Sequence, residues 1–124
     1  MSRTALVLGA GLGGMVAAHS LRRFLPRTER VVLVEREEQH VFPPSLLWLM
    51  VGKRVAGDFS RPCAQAVRPG IELVRGEVTA IDPAAKTVQV GGKTLRGDAL
   101  VIALGADYAP QAIPGLAEAG LCIY

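Results

Sequence analysis

The feature that most constrains this chain is an apolar run that breaks into glycines close to its start. Residues 4–8 (TALVL) suit a buried strand, and Gly9, Gly11 and Gly14 follow in a G-x-G-x-x-G pattern that opens a helical stretch. In a strand–turn–helix unit that binds a dinucleotide, the first glycine makes the turn and the second lets backbone approach a pyrophosphate. The third lets the helix pack closely on the strand. The pattern alone fits a ligand-free turn equally well, so the neighbouring sequence has to distinguish this turn from a dinucleotide-binding one.

That context favours a dinucleotide. An anion would be stabilised by the free N–H groups of the helix N-terminus, around Leu12 and Gly13. Residues 31–34 (VVLV) predict a strand buried on both faces of a parallel sheet. The run ends at Glu35, close to the offset of ~20 residues expected for the acid that hydrogen-bonds a ribose hydroxyl. Alternatively, Glu35 is only a solvated strand end.

Composition bounds the remaining choices. The chain has 124 residues, half of them apolar, which is enough for one globular α/β domain. Its net charge is only +3 and its arginines are scattered, so nucleic acid is an unfavourable partner. No signal peptide precedes the first strand, and the apolar run at residues 45–51 is too short to span a membrane. Cys63 and Cys122 lack the spacing of a zinc site or a disulfide framework and are expected to be reduced, in a cytoplasmic protein.

The middle of the chain leaves more alternatives open. Arg36 could stack on an adenine, pair with a phosphate or be a solvated loop charge. His40 has no paired catalytic partner in the sequence and is expected to be a loop residue. Residues 46–51 predict a short apolar helix that forms core packing, a cofactor-pocket wall or a surface for another part of the protein. Residues 58–67 predict a helix with Ser60 as its N-cap.

The second half predicts strands. Residues 71–75 form one strand, and residues 76–82, 87–90 and 93–96 alternate like an antiparallel meander. Residues 99–104 predict a central parallel strand that ends at the ligand edge of the sheet, next to Gly105. The expected fold is therefore α/β and Rossmann-like: one domain over residues 1–124, with a parallel sheet, helices and an inserted antiparallel meander.

Taken together, these stretches resemble the N-terminal FAD-binding part of the pyridine nucleotide-disulfide oxidoreductase superfamily, near its sulfide:quinone oxidoreductase and type II NADH dehydrogenase branch. The likeness covers the whole chain and is carried by residues 7–14, 31–36, 76–82 and 98–105. It implies FAD binding, with NAD less favoured. The cofactor would be held by the glycine-rich turn, by the acidic segment that follows the second strand, by Val78 and by the end of the last strand. The residues implied are Gly9, Gly11, Leu12, Gly13, Gly14, Glu35, Arg36, Val78, Ala103, Leu104 and Gly105.

The resemblance adds detail at three positions. Val78 would pair its backbone with the adenine edge, and Leu104 stands where threonine is commoner in the family. Residues 40–48 are similar to the sulfide:quinone oxidoreductase loop that passes the flavin. Cys122 falls in roughly the region of a reactive cysteine and is the one catalytic candidate.

The resemblance also implies a function for a longer protein. Electrons from sulfide or NADH would pass through FAD toward a quinone, and the chain would be an inactive fragment of a flavoprotein lying peripherally on a membrane. Homo-oligomerisation is left open. The alternative is a non-catalytic nucleotide-binding module that uses NAD or FAD.

Overall fold

The computed structural model of the protein describes residues 1–120. The helices and strands follow the chain in this order: β1 (Thr4–Leu8), α1 (Leu12–Phe24), β2 (Arg30–Glu35), β3 (Gln39–Val41), α2 (Leu46–Met50), β4 (Ser60–Pro62), α3 (Cys63–Ala66), β5 (Ile71–Arg75), β6 (Val78–Asp82), β7 (Thr87–Val90), β8 (Lys93–Arg96), β9 (Ala99–Ile102) and α4 (Leu116–Ala119). Short 3₁₀ turns occupy Pro43–Ser45, Ala56–Asp58 and Pro110–Ala112.

Four parallel strands form the main sheet in the order β5-β2-β1-β9. One face of β1 and β2 packs against β7, in a buried cluster of Leu6, Leu8, Val32, Val34, Val88 and Val90. The other face packs against α1, in a cluster of Val7, Ala10, Met15, Ala18, Val31 and Leu33. Because successive side chains of a strand point to opposite faces, both apolar runs supply both clusters. The prediction of strands buried on both faces is confirmed.

The antiparallel meander is confirmed as a three-stranded sheet in the order β6-β7-β8. Val90 pairs with Lys93, so a two-residue turn joins β7 to β8. Gly91 and Gly92 both have positive φ, 52° and 78°, which is the backbone that a tight hairpin turn of this twist requires. The α/β fold class with an inserted meander is therefore as expected.

The predicted helix over residues 58–67 is wrong in its first part. Ser60–Pro62 form β4, which pairs antiparallel with β3 and sets His40 opposite Arg61. His40 accordingly lies in a strand instead of a loop. The helix is confined to Cys63–Ala66, with Pro62 at its N-cap. A serine followed by a proline carries a local helix-start signal, but pairing with a distant segment overrides it here.

The predicted central position of residues 99–104 in the sheet is wrong, although the strand is parallel as expected. Within residues 1–120, β9 lies at one edge of the main sheet and pairs only with β1. Ile102 and Leu104 remain 53% and 52% exposed. An unbroken apolar run indicates that both faces of a strand are buried, but it does not indicate how many strands lie beside it in the sheet.

The short apolar helix is confirmed as α2, but it does not pack into a core. Leu47 and Trp48 are 54% and 46% exposed, and the Lys53 ammonium lies 5.2 Å from the centre of the Trp48 ring. Core packing is thereby excluded for this face among the described residues. Within residues 1–120, no helix combines the length and apolarity needed to cross a bilayer.

Candidate functional site

A cleft of about 470 Å³ opens where the four parallel strands end. Gly9 follows β1, Glu35 ends β2, Gly76 follows β5 and Ala103 follows β9. In the sheet, β1 has β2 on one side and β9 on the other. The cleft at the end of β1 therefore lies at the point where the strand order reverses. Open α/β sheets bind their ligands at this place.

Two glycines of the G-x-G-x-x-G pattern are required by the packing of the chain itself. Gly9 has φ +91°, and a Cβ at this position would lie 2.3 Å from the carbonyl oxygen of Ala103. A Cβ at Gly14 would lie 1.7 Å from the carbonyl oxygen of Gly9. The turn, the start of α1 and the end of β9 therefore fit together only without these two side chains.

Gly11 differs from both. Its φ of −66° is open to any residue, and a Cβ built on it meets no atom within 4 Å in residues 1–120. Gly11 lines the cleft at the N-cap of α1, where no side chain of the described residues forms a capping hydrogen bond. A side chain here would extend into space that the fold leaves free, next to a helix N-terminus suited to an anion.

Glu35 joins the end of β2 to the glycine turn. The Ala10 N–H donates to Glu35 Oε2 over 2.6 Å, and the Glu37 N–H donates to Oε1 over 2.9 Å. The Gly76 N–H donates to the Glu35 backbone carbonyl over 3.0 Å, which ties in the end of β5. Each carboxylate oxygen has a second lone pair, so the side chain can still accept a hydroxyl from a ligand.

Arg36 lies on the rim of the same cleft. Its guanidinium lies 3.1 Å from Glu37 Oε1 and 3.6 Å from Glu77 Oε1, and its side chain is 63% exposed. Ion pairs this exposed contribute little to folding. The guanidinium can therefore exchange one of these carboxylates for a phosphate or an adenine ring at small cost.

His40 reaches the glycine turn from β3, which pairs antiparallel with β4. Its Nδ1 lies 3.0 Å from the carbonyl oxygen of Ala10. The resemblance placed residues 40–48 in a loop that passes the flavin, but it did not predict this contact of His40, because nothing near His40 in the chain signals it. Only the pairing of β3 with β4 brings its ring to a residue 30 positions away.

The structure brings eight of the eleven predicted cofactor-binding residues to the cleft wall: Gly9, Gly11, Glu35, Arg36, Val78, Ala103, Leu104 and Gly105. Leu12, Gly13 and Gly14 lie in the first turn of α1 and do not line it. Sequence reasoning missed Val34, Gly76, Glu77, Ala106 and Asp107, which also line the cleft. All five lie within two positions of predicted residues in the sequence, so their location at the ends of the strands was the available signal.

Only one of the two cysteines, Cys63, lies among the described residues. Cys122 lies outside the described residues. Cys63 is buried, with its Sγ 3.5 Å from the carbonyl oxygen of Glu37. Burial raises the pKa of the Cys63 thiol, and the negative charge of Glu35 raises it further. A thiol held neutral in this way is a poor nucleophile.

Within residues 1–120, His, Cys, Asp and Glu form no cluster that could hold a metal ion.

Known proteins share this sequence pattern and fold. The sulfide-quinone reductase of Aquifex aeolicus is 34% identical over 107 residues, which cover 85% of this chain and 25% of that protein. The alternative NAD(P)H-ubiquinone oxidoreductase C1 of Arabidopsis thaliana is 30% identical over 139 aligned residues, covering 95% of this chain and 26% of that protein. The chain thus spans about a quarter of the length of these relatives.

A solved structure agrees with them. The sulfide:quinone oxidoreductase of Aquifex aeolicus superposes with a TM-score of 0.82 at 30% identity, over 94% of this chain and 27% of that one. These matches confirm the expected likeness to sulfide:quinone oxidoreductases and type II NADH dehydrogenases. The family model described as pyridine nucleotide-disulphide oxidoreductase matches residues 3–123. The chain therefore belongs to the pyridine nucleotide-disulphide oxidoreductase family and has its FAD-binding, Rossmann-like fold.

Proposed function

We propose that this chain binds the adenosine diphosphate half of FAD in the cleft at the strand ends. The observation that carries the proposal is the free space at Gly11, beside the N-terminus of α1. The fold requires a glycine at Gly9 and Gly14 but not at Gly11, and the close approach of a pyrophosphate to the backbone would account for a residue without a side chain at this place in the cleft wall.

Four of the predicted residues then have a specific role. The diphosphate would accept hydrogen bonds from the N–H groups of the first turn of α1, at Leu12 and Gly13. Glu35 would accept a ribose hydroxyl while it keeps its bond to Ala10. Val78 would present its backbone to the adenine edge. Glu35 would repel the additional phosphate of NADP, which favours FAD or NAD over that cofactor.

The activity belongs to a longer protein. We propose a flavin-dependent oxidoreductase that takes electrons from sulfide or NADH and delivers them to a quinone, at the cytoplasmic surface of a membrane. The names of the two relatives support this choice, since one reduces quinone with sulfide and the other with NAD(P)H. FAD supplies the electron transfer when it is bound, and this chain holds and orients it. Homo-oligomerisation and a role for Cys122 stay predictions.

A pair of glycine variants tests the binding role. Gly11→Ala would place a methyl group in the cleft, whereas Gly57→Ala adds the same group at a second glycine whose Cβ would also meet nothing within 4 Å. Gly57 does not line the cleft. We expect both variants to keep the melting temperature of the wild type, and only Gly11→Ala to weaken ADP binding, by about tenfold or more.

Calorimetric titration of the 124-residue chain with ADP measures this difference. Equal ADP affinity in Gly11→Ala and the wild type would contradict the proposed site, and so would failure of the wild type to bind ADP. Flavin absorbance of a longer protein that includes this chain distinguishes FAD from NAD. If such a protein were colourless and bound NAD alone, the non-catalytic alternative would be favoured.

A further inference from the structure

The residue between Gly9 and Gly11 is held from both sides by side chains. The N–H of Ala10 donates to Glu35 over 2.6 Å, and its carbonyl oxygen lies 3.0 Å from His40 Nδ1. Ala10 is buried, so its polar backbone groups depend on these partners. A carbonyl oxygen carries no hydrogen, so Nδ1 of His40 must be the donor. This contact fixes which ring nitrogen bears the proton.

The carbonyl of Ala10 shares one peptide unit with the N–H of Gly11. Because a trans peptide is planar, its C=O and N–H point in opposite directions, and fixing one fixes the other. A hydrogen bond to the carbonyl also polarises the unit and strengthens its N–H as a donor. Gly11 lines the cleft, its φ is open to any residue, and a Cβ built on it would meet no described atom within 4 Å. Through the Ala10 carbonyl, His40 therefore acts on the N–H of Gly11, the group proposed to face the ligand.

We propose that His40 is a positioning residue for diphosphate recognition: it orients and polarises the Ala10–Gly11 peptide for the anion. This inference rests on the proposed function and deepens it. The strand pair that carries His40 is well suited to the task, because β3 and β4 are hydrogen-bonded and the Phe42 N–H donates to the Phe59 carbonyl over 3.0 Å. The ring is thus presented from a paired element instead of a loop.

A comparison of two ligands separates this role from simple stabilisation. ADP carries the diphosphate and adenosine does not, so loss of His40 should affect ADP alone. A residue that only supports the fold would weaken both ligands together. The Asn Nδ2 group can donate from about the position of the histidine Nδ1, whereas leucine fills space without a donor.

We therefore expect His40→Leu to bind ADP about tenfold more weakly while adenosine affinity changes by less than about twofold. His40→Asn should recover most of the ADP affinity. His19→Leu is the matched control, because it removes another hydrogen bond between a histidine and the backbone, from the Arg68 N–H, away from the cleft. It should leave the ratio of ADP to adenosine affinity unchanged.

The backbone amide of Gly11 gives an independent signal. In a ¹⁵N-labelled sample, its proton resonance should move upfield in His40→Leu and return in His40→Asn, in the absence of any ligand. Equal losses for ADP and adenosine, or unchanged ADP affinity in His40→Leu, would overturn the inference and leave the proposed function standing. Failure of the wild type itself to bind ADP would overturn both.

Discussion

The carboxylate of Glu35 lies 2.6 Å from the backbone nitrogen of Ala10, so the acid that ends β2 is bonded to the turn that follows β1. The second carboxylate oxygen accepts the Glu37 N–H at 2.9 Å. The residue proposed to contact a ribose therefore also holds together two adjacent parts of the cleft. Its substitution should change both the stability of the fold and the affinity for the ligand.

Glu35→Ala should lower the free energy of unfolding by about 1.5–3 kcal/mol, because it removes a charged acceptor from two backbone N–H groups. Glu35→Gln keeps one acceptor oxygen and should lose less. Glu72→Ala is the control: it removes an exposed carboxylate paired with Arg30, and about 0–1 kcal/mol is expected. Urea unfolding measures all three. A loss in Glu35→Ala no larger than that in Glu72→Ala would show that the bond to Ala10 contributes nothing.

Gly14→Ala should destabilise the protein, because its Cβ would lie 1.7 Å from the carbonyl oxygen of Gly9. The overlap is with backbone, so α1 must shift away from β1, at an expected loss of about 1–3 kcal/mol or more. Gly13→Ala is the matched control in the same turn, since its Cβ would meet only the Ala103 side chain, at 3.9 Å. It should be neutral or stabilising by up to about 1 kcal/mol. Equal urea midpoints for the two variants would contradict this account of the helix packing.

The stability of the protein should fall as the pH drops below about 6.5, in part because of His19. The Arg68 N–H donates to His19 Nε2 over 3.3 Å, which requires that nitrogen to be unprotonated. Burial lowers the pKa of His19 below its usual 6.5, and the nearby charges of Arg68 and His40 lower it further. The unfolded chain therefore binds the proton first as the pH falls, which favours unfolding. Above the unfolded pKa the contribution is constant.

His19→Gln isolates this effect, since the amide oxygen can accept the Arg68 N–H and does not titrate. Between about pH 7.5 and pH 5.5, the melting temperature of the variant should fall less than that of the wild type. All other titrating groups are common to both proteins. Identical pH profiles would remove His19 from the explanation.

Cys63 should be unreactive in the folded protein. Its side chain is buried and its pKa is raised by burial and by the charge of Glu35, so little thiolate is present or accessible near neutral pH. In a Cys122→Ser background, modification by an aromatic disulfide reagent should proceed only as fast as the protein opens, and should become immediate in urea. Rapid modification of the folded protein would show that Cys63 is not enclosed as described.

Much of the architecture could be predicted locally. Residues 5–8 of β1 and 31–34 of β2 are apolar at every position, and only strands with both faces covered accommodate such runs. The twin glycines at Gly91 and Gly92 indicated the hairpin turn, because few other residues adopt positive φ twice in succession. These elements follow from steric and hydrophobic requirements that act within a few residues.

Other elements could not be predicted in this way. Ser60 was expected to start a helix and instead begins β4, because residues 39–41 offer it a strand partner. The edge position of β9 and the exposure of Trp48 depend on which elements lie beside them, which no local pattern encodes. His40 was expected in a loop, and its contact with Ala10 depends on the same pairing of β3 with β4.

By itself, the sequence determined the strand–glycine–helix unit, the acid at the end of the second strand and the family to which the chain is similar, since each is recognised from the order of residues within short stretches of the chain. Only the tertiary structure decided that Glu35 and His40 hold Ala10 from opposite sides. It also separated Gly11, with its open surroundings, from Gly9 and Gly14, which packing requires. Those distinctions depend on distances between segments that meet only when the chain is folded.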